Sequence, residues 1–274
     1  MVPHVSILYK EERKLIESHF LKRKITVDFY IPSQISENQD LSLLLINDGQ
    51  NLPEMNFISI IEQLHCSHKM SPLVYIGIHA GKERKNEYGT AARLDYEGRG
   101  KHSKQYQQFI LNELIPHIQY ELSIKAFSKI ATAGFSLGGL SALDIMWNHP
   151  TVFSIAGVFS GSLWWRSKSV DEDYDDNRDR IMQQIIKNGA YHPGNRFYFT
   201  TGSLDETADR NNNGVIDSID DTLAVIEELK NLGYSTEYDI RYINYENGKH
   251  DIATWAMALP GFLVWAFNAS GKIA

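Results

Sequence analysis

Gly134-Phe135-Ser136-Leu137-Gly138, followed by Gly139, sets a serine between glycines two positions to either side. An apolar segment, Lys129 to Ser136, runs into it and an amphipathic stretch, GLSALDIMWNHP, leaves it. G-x-S-x-G between a strand and a helix is the pattern of a nucleophile elbow. The turn is so tight that the serine takes a strained backbone angle, and a Cβ at either glycine would collide with a neighbouring strand or helix. The hydroxyl then projects from the turn. The Leu137 amide faces the same space from the helix N-terminus, where it can stabilise a developing oxyanion. A glycine-rich turn that merely packs closely is the plainer alternative.

A serine attacks only with a general base within hydrogen-bond reach, and on this scaffold the chain order is Ser, acid, His. Of ten histidines, His192 and His250 satisfy that order comfortably. His192, in YHPGN, precedes a strand and falls at the wrong end. His250, in NYENGKHDIATW, follows a strand and precedes the last helix, so it is the expected base. The acid should follow RFYFTTGSLDE. Asp205 is nearest the strand end and would hold the imidazole tautomer, with Glu206 and Asp209 as alternatives. A second oxyanion donor belongs after LLLINDGQNL, where the Gly49-Gln50 turn offers the Gln50 amide.

These residues need one common edge, and the chain alternates strands with helices in a way that supplies it. Strands are expected at Ile25 to Ile31, Leu41 to Asp48, Leu73 to Ala80, Lys129 to Ser136, IAGVFSGS, RFYFTTGSLD and STEYDIRYIN. Helical spacing marks Ile58 to His65, Ser103 to Glu121, the stretch behind Ser136, Arg180 to Lys187, Thr222 to Asn231 and Ile252 to Phe267. Gly81 to Lys101 is polar and glycine-bearing, hence a loop. The near-continuous apolar strands predict an α/β fold, a mostly parallel central sheet covered by helices on both faces. Right-handed crossovers then bring the strand carboxyl ends, and the site, to one edge. The expectation is a single domain over 1–274.

The 274 residues carry 27 Lys and Arg against 34 Asp and Glu, a net charge of −7. That balance argues against a nucleic-acid partner, which requires basic stripes. The single cysteine, Cys66, allows no internal disulfide and no multi-thiolate metal site. The start MVPHVSILYKEERKLIESHF shows no signal-peptide pattern, and AMALPGFLVWAF near 256–267 is too short to span a bilayer. A cytoplasmic protein without a membrane partner is expected. Oligomeric state leaves no trace in the sequence.

A second pattern lies at 209–220. Asp209, Asn211, Asn213, Asp217 and Asp220 put oxygen-bearing side chains at positions 1, 3, 5, 9 and 12 of an EF-hand loop. Gly214 stands at position 6, and position 7 would contribute the Val215 carbonyl. Asp220 replaces the longer glutamate, and a strand enters the loop where an EF-hand has a helix. The expectation is a structural calcium ion that pins the loop carrying Asp205, with no cofactor in the chemistry. An Asn/Asp/Gly-rich turn capping the helix near Thr222 is the alternative.

On the substrate side, Trp164, Trp165 and Arg166 follow a strand end at the expected edge. Two aromatics there could form an acyl or aryl pocket, and Arg166 could meet an anionic group. Packing of one tryptophan in the core competes with that reading. Arg93 and Tyr96 sit in the long loop that could overhang the site, and Asp171 to Asp179 reads as a solvated part of a lid-like segment at 163–180.

Taken together, DGQ (Asp48 to Gln50), GFSLGG (Gly134 to Gly139), SGSLWW (Ser160 to Trp165), GSLDE (Gly202 to Glu206) and GKH with the following Trp255 resemble the esterase family that includes enterochelin, feruloyl and acyl esterases. The resemblance covers about Ile25 to Phe267. It implies an α/β-hydrolase fold, a triad of Ser136, Asp205 and His250, and hydrolysis of carboxylic esters. The family is similar to mycolyltransferases, which pass the acyl group to a sugar, so acyl transfer is an alternative to hydrolysis. A catalytically silent binding module of the same fold is the alternative from another class. The expected partner is a small-molecule ester.

Overall fold

The computed structural model describes residues 8–33, 40–71 and 73–268. The first seven residues, on which the reading of the N-terminus partly rests, lie outside them. Eight strands among the described residues form one sheet: β1 (Tyr9–Ser18), β2 (Arg23–Pro32), β3 (Ser42–Asn47), β4 (Leu73–Ile78), β5 (Lys129–Phe135), β6 (Ile155–Phe159), β7 (Arg196–Leu204) and β8 (Ile240–Lys249). Their order is β1-β2-β4-β3-β5-β6-β7-β8. The β1–β2 and β2–β4 pairs are antiparallel, and every pair from β4 to β8 is parallel. Every residue of β4 and β6 is buried, as expected for strands covered on both faces.

The covering helices are α1 (Phe57–Cys66), α2 (Arg84–Glu87), α3 (Ser103–Phe109), α4 (Ile115–Glu121), α5 (Leu137–Asn148), α6 (Asp176–Asp179), α7 (Ile181–Lys187), α8 (Asp217–Asn231) and α9 (Ile252–Phe267). On one face α1 and α9 contribute Phe57, Ile61, Leu259, Phe262 and Leu263 to a core against the sheet. On the other, α3, α4, α5, α7 and α8 contribute Phe109, Ile118, Leu140, Leu143, Ile186 and Leu229. No helix among the described residues is long and apolar enough to cross a membrane.

This is the α/β-hydrolase architecture. The parallel strands end together, so the first residue after each lands on one edge: Asp48 after β3, Ser136 after β5, Ser160 after β6, Asp205 after β7 and His250 after β8.

Several elements differ from expectation, each for a local reason. β1 carries no apolar strand signature because its Lys/Glu/Arg alternation buries little; it is an edge strand paired along its length with β2. The helix over 103–121 contains a π-helical turn at Ile110–Leu114 just before Pro116, which has no N–H to donate and needs clearance from the preceding turn. The loop over 81–101 contains α2, and α8 starts at Asp217 rather than Thr222. β8 starts later than expected because Asp239 turns the chain, accepting the Ser235 N–H at 2.9 Å, and it runs to Lys249, delivering His250 directly from a strand end.

Candidate active site

Ser136 sits at φ 55° and ψ −122°, between β5 and α5, with its N–H donating to the Phe159 carbonyl at 2.9 Å. This is the strained elbow. Both flanking glycines are required by contact: a Cβ on Gly134 would stand 2.3 Å from the Gly138 carbonyl oxygen, and one on Gly138 would stand 2.5 Å from Asp48 Oδ2. The Ser136 hydroxyl lies 3.5 Å from that of Ser162. Leu137 opens α5, where an amide has no acceptor within its own helix.

Asp205 is fixed from two sides. Its Oδ2 accepts the Gly202 N–H at 2.9 Å, and its Oδ1 accepts the Ser160 hydroxyl at 3.1 Å. His250 Nδ1 lies 3.9 Å from the same Oδ1, beyond direct hydrogen bonding. The Trp255 ring system meets the imidazole in a T-shaped contact, 5.2 Å between centroids and 82° between planes. Ser136, Asp205 and His250 line one pocket of about 260 Å³, shared with Ser160, Ser162, Trp164, Glu206 and Ser218. Burial holds the His250 imidazole below its usual titration range; Asp205 and Asp251 oppose that shift, while the positive charge of Arg84 adds to it. Burial pushes the Glu206 carboxyl up, and nearby Asp217 and Asp221 push it the same way.

Two residues beside the elbow carry no role in the sequence reading. Asp48, in a left-handed conformation at φ 60°, is buried and takes a two-point grip from Arg84, Nε to Oδ1 and Nη2 to Oδ2, each at 2.7 Å. Arg84 Nη2 is also 3.5 Å from the Phe135 carbonyl that precedes Ser136. The signal in the sequence was a carboxylate ending an otherwise apolar strand, since burying such a group demands a partner. Gln50 is exposed in the adjoining turn; its side chain donates to Asp48 at 3.3 Å and accepts the Ala80 N–H at 3.0 Å.

Residues 18–266 match the family model described as "Putative esterase". The chain belongs to this esterase family. It is 29% identical to the uncharacterized protein YbbA of Bacillus subtilis over 144 residues, covering 50% of this chain and 56% of the relative. The match thus spans about half the length of that relative. An enterochelin esterase of Shigella flexneri superposes with TM-score 0.71 at 19% identity, over 93% of this chain and 57% of that one. The siderophore hydrolase EstB of Aspergillus nidulans superposes with TM-score 0.71 at 16% identity, over 100% of both chains. These two establish the shared fold.

In this esterase-family chain the expected substrate residues separate. Trp164 lines the pocket, whereas Trp165 is fully buried, with its ring filling the space that a Cβ on Gly89 would enter at 2.6 Å. The paired-tryptophan pocket is therefore corrected: Trp165 is a core residue under the 81–101 loop. Arg166 stacks over Tyr96 at 5.0 Å and Trp164 at 5.6 Å, outside the pocket wall. Arg93 is exposed and does not line the pocket. The lid-like segment closes on itself through an Arg166–Arg180 bridge. Its acidic run is only partly solvated, because Asp179 is buried and accepts the Ser167 hydroxyl at 2.9 Å, and Asp176 accepts Arg210 Nε at 2.7 Å.

The 209–220 loop folds on its own oxygens. Asp209 accepts the amides of Asn213 and Gly214, Asn213 Oδ1 accepts the Val215 amide, and the side-chain amides of Asn211 and Asn213 both donate to Asp220 Oδ2. Gly214 has φ +83°, and Asp217 faces Arg210 at 3.1 Å. Among the described residues, no group of three or more His, Cys, Asp or Glu could hold a metal ion; the asparagine and carbonyl oxygens of an EF-hand loop fall outside that set.

Proposed function

We propose that the chain is a serine esterase that cleaves a carboxylic ester through an acyl-enzyme. The observation that carries this reading is the strained elbow serine sharing one small pocket with a buried carboxylate and an imidazole in the Ser, Asp, His order. Ser136 attacks the ester carbonyl while its proton passes to His250. The Leu137 amide, with that of Gln50, takes the charge developing on the carbonyl oxygen, and Arg84 beside the elbow adds a positive field. His250 then protonates the leaving alcohol, and a water molecule deprotonated by His250 releases the acyl group. A movement of about 1 Å brings His250 Nδ1 within hydrogen-bond reach of Asp205. The pocket takes a small or medium ester with polar groups, since hydroxyls and a carboxylate share its wall with Trp164.

The similar structures include a ferulic acid esterase and a siderophore hydrolase, which supports an ester of a hydroxylated aromatic acid among the first substrates to test. The decisive experiment pairs p-nitrophenyl butyrate turnover with fluorophosphonate labelling. Wild type should turn over and label, while a folded Ser136→Ala should do neither. A folded Ser136→Ala that retains full turnover removes the mechanism. Release of free acid, as against transfer to an added sugar, separates hydrolysis from acyl transfer.

A further inference from the structure

Ser160 follows β6 directly and lies at φ 44°, a left-handed angle that a serine adopts only at a cost. Nothing in attack or leaving-group departure uses it. Its hydroxyl nevertheless occupies a fully specified position. Trp255 Nε1 donates to Ser160 Oγ at 3.1 Å, and Ser160 Oγ donates to Asp205 Oδ1 at 3.1 Å. The direction of both bonds is forced, because an indole N–H only donates and a carboxylate only accepts. All three groups are buried: Ser160 is 3% exposed, Trp255 7%, and the Asp205 side chain 1%.

The oxygen that receives the Ser160 proton is also the one facing His250 Nδ1 at 3.9 Å. Trp255 in turn stacks on Phe135 at 5.3 Å and 23°, immediately before the nucleophile, and makes a T-shaped contact with the His250 ring. One tryptophan therefore touches the base through its ring and the acid through its N–H. We propose that Ser160 and Trp255 are positioning residues that orient Asp205 toward His250 and limit how strongly its carboxylate attracts the imidazole proton. The proposal rests on the serine-esterase reading for its catalytic meaning but not for its physical test.

The physics is that of a shared acceptor. A hydroxyl donating to a carboxylate oxygen spreads part of its negative charge and fixes its rotation. Without that donor, the carboxylate interacts more strongly with a protonated imidazole. The other charged groups acting on His250 are Arg84, which disfavours its protonated form, and Asp251, which favours it. Neither is bonded to Ser160, so a change at Ser160 reports on Asp205.

The test uses Ser160→Gly, which removes the hydroxyl and suits a positive φ, and Trp255→Phe, which removes the indole N–H and keeps an aromatic ring against Phe135. The His250 imidazole is titrated by NMR in the full chain, and p-nitrophenyl butyrate kinetics are measured beside it. In Ser160→Gly the His250 titration should move to higher pH, and kcat should fall about tenfold with KM nearly unchanged. Trp255→Phe should move the titration the same way but less. The double variant should shift by less than the sum of the two single variants, since an N–H that orients a hydroxyl has no effect once the hydroxyl is gone and only the direct ring contact of Trp255 with His250 still counts. A His250 curve in folded Ser160→Gly that superimposes on wild type overturns the proposal. Strictly additive shifts in the double variant overturn the Trp255 link. Failure of the esterase reading looks different, as a wild type without Ser136-dependent turnover, and leaves the titration readable.

Discussion

Gly202 and Gly248 touch backbone to backbone where β7 and β8 end: a Cβ on Gly202 would stand 2.3 Å from the Gly248 carbonyl oxygen. The ladder shifts register at this point, Gly202 lying opposite Tyr245 and Leu204 opposite Lys249. The same Gly202 gives its N–H to Asp205. The close approach is what places Asp205 and His250, one residue beyond each strand, on the same pocket wall. Gly202→Ala should therefore cost about 1–3 kcal/mol of stability in urea unfolding, through overpacking against backbone that cannot rotate away. Turnover should fall by about tenfold or more, because displacing Asp205 from His250 disturbs the geometry on which the proposed mechanism relies. Unchanged midpoint and turnover would show that the approach has no role.

The acid limb of kcat/KM reports the base. The proposed mechanism requires neutral His250, and burial together with Arg84 lowers its titration from the ordinary 6.5. Ester turnover by this mechanism should thus persist at pH values where an unperturbed imidazole is already protonated, and be lost as pH falls through the lowered value. Replacing Asp48 and Arg84 together, as Asp48→Asn/Arg84→Gln, avoids stranding a buried carboxylate. The limb should then move upward only slightly, because the Arg84 charge that disfavours imidazolium has gone together with the Asp48 charge paired with it. A pH profile with its acid limb above 6.5 in wild type contradicts this account.

The two adjacent tryptophans should respond oppositely to truncation. Trp165→Ala removes a fully buried ring and should cost about 3–5 kcal/mol in chemical unfolding. Trp164→Ala should leave the unfolding midpoint close to wild type and raise KM, since that ring lines the pocket. Equal destabilisation by both substitutions would assign Trp164 to the core as well.

Calcium at 209–220 is a proposal with a direct readout. Rotating the Asn211 and Asn213 amides would turn oxygens toward Asp220 in place of N–H groups, joining Asp209 and the Val215 carbonyl around one ion. Calorimetry with calcium should show single-site uptake and a raised melting temperature, both lost in Asp209→Ala. No heat at millimolar calcium would leave the loop as the self-bonded turn that leads into α8.

The elbow was legible in the sequence because G-x-S-x-G between an apolar strand and a helix is a steric requirement written in consecutive residues. The ordering rule identified Asp205 and His250 as candidates in the same way, and continuous apolar strands specified a parallel sheet. What the sequence could not supply was contact across the sheet edge. Arg84 lies 36 positions from Asp48, and Ser160 lies 95 from Trp255. Such pairs meet only because β3, β5, β6, β7 and β8 end together, which no local spacing encodes. The two tryptophans show the same division: their types promised a pocket, but one ring faces the cavity and the next is sealed in the core. That choice is made by the packing of the 81–101 loop over Trp165, a tertiary event in which Gly89 leaves room for a ring far away in the chain.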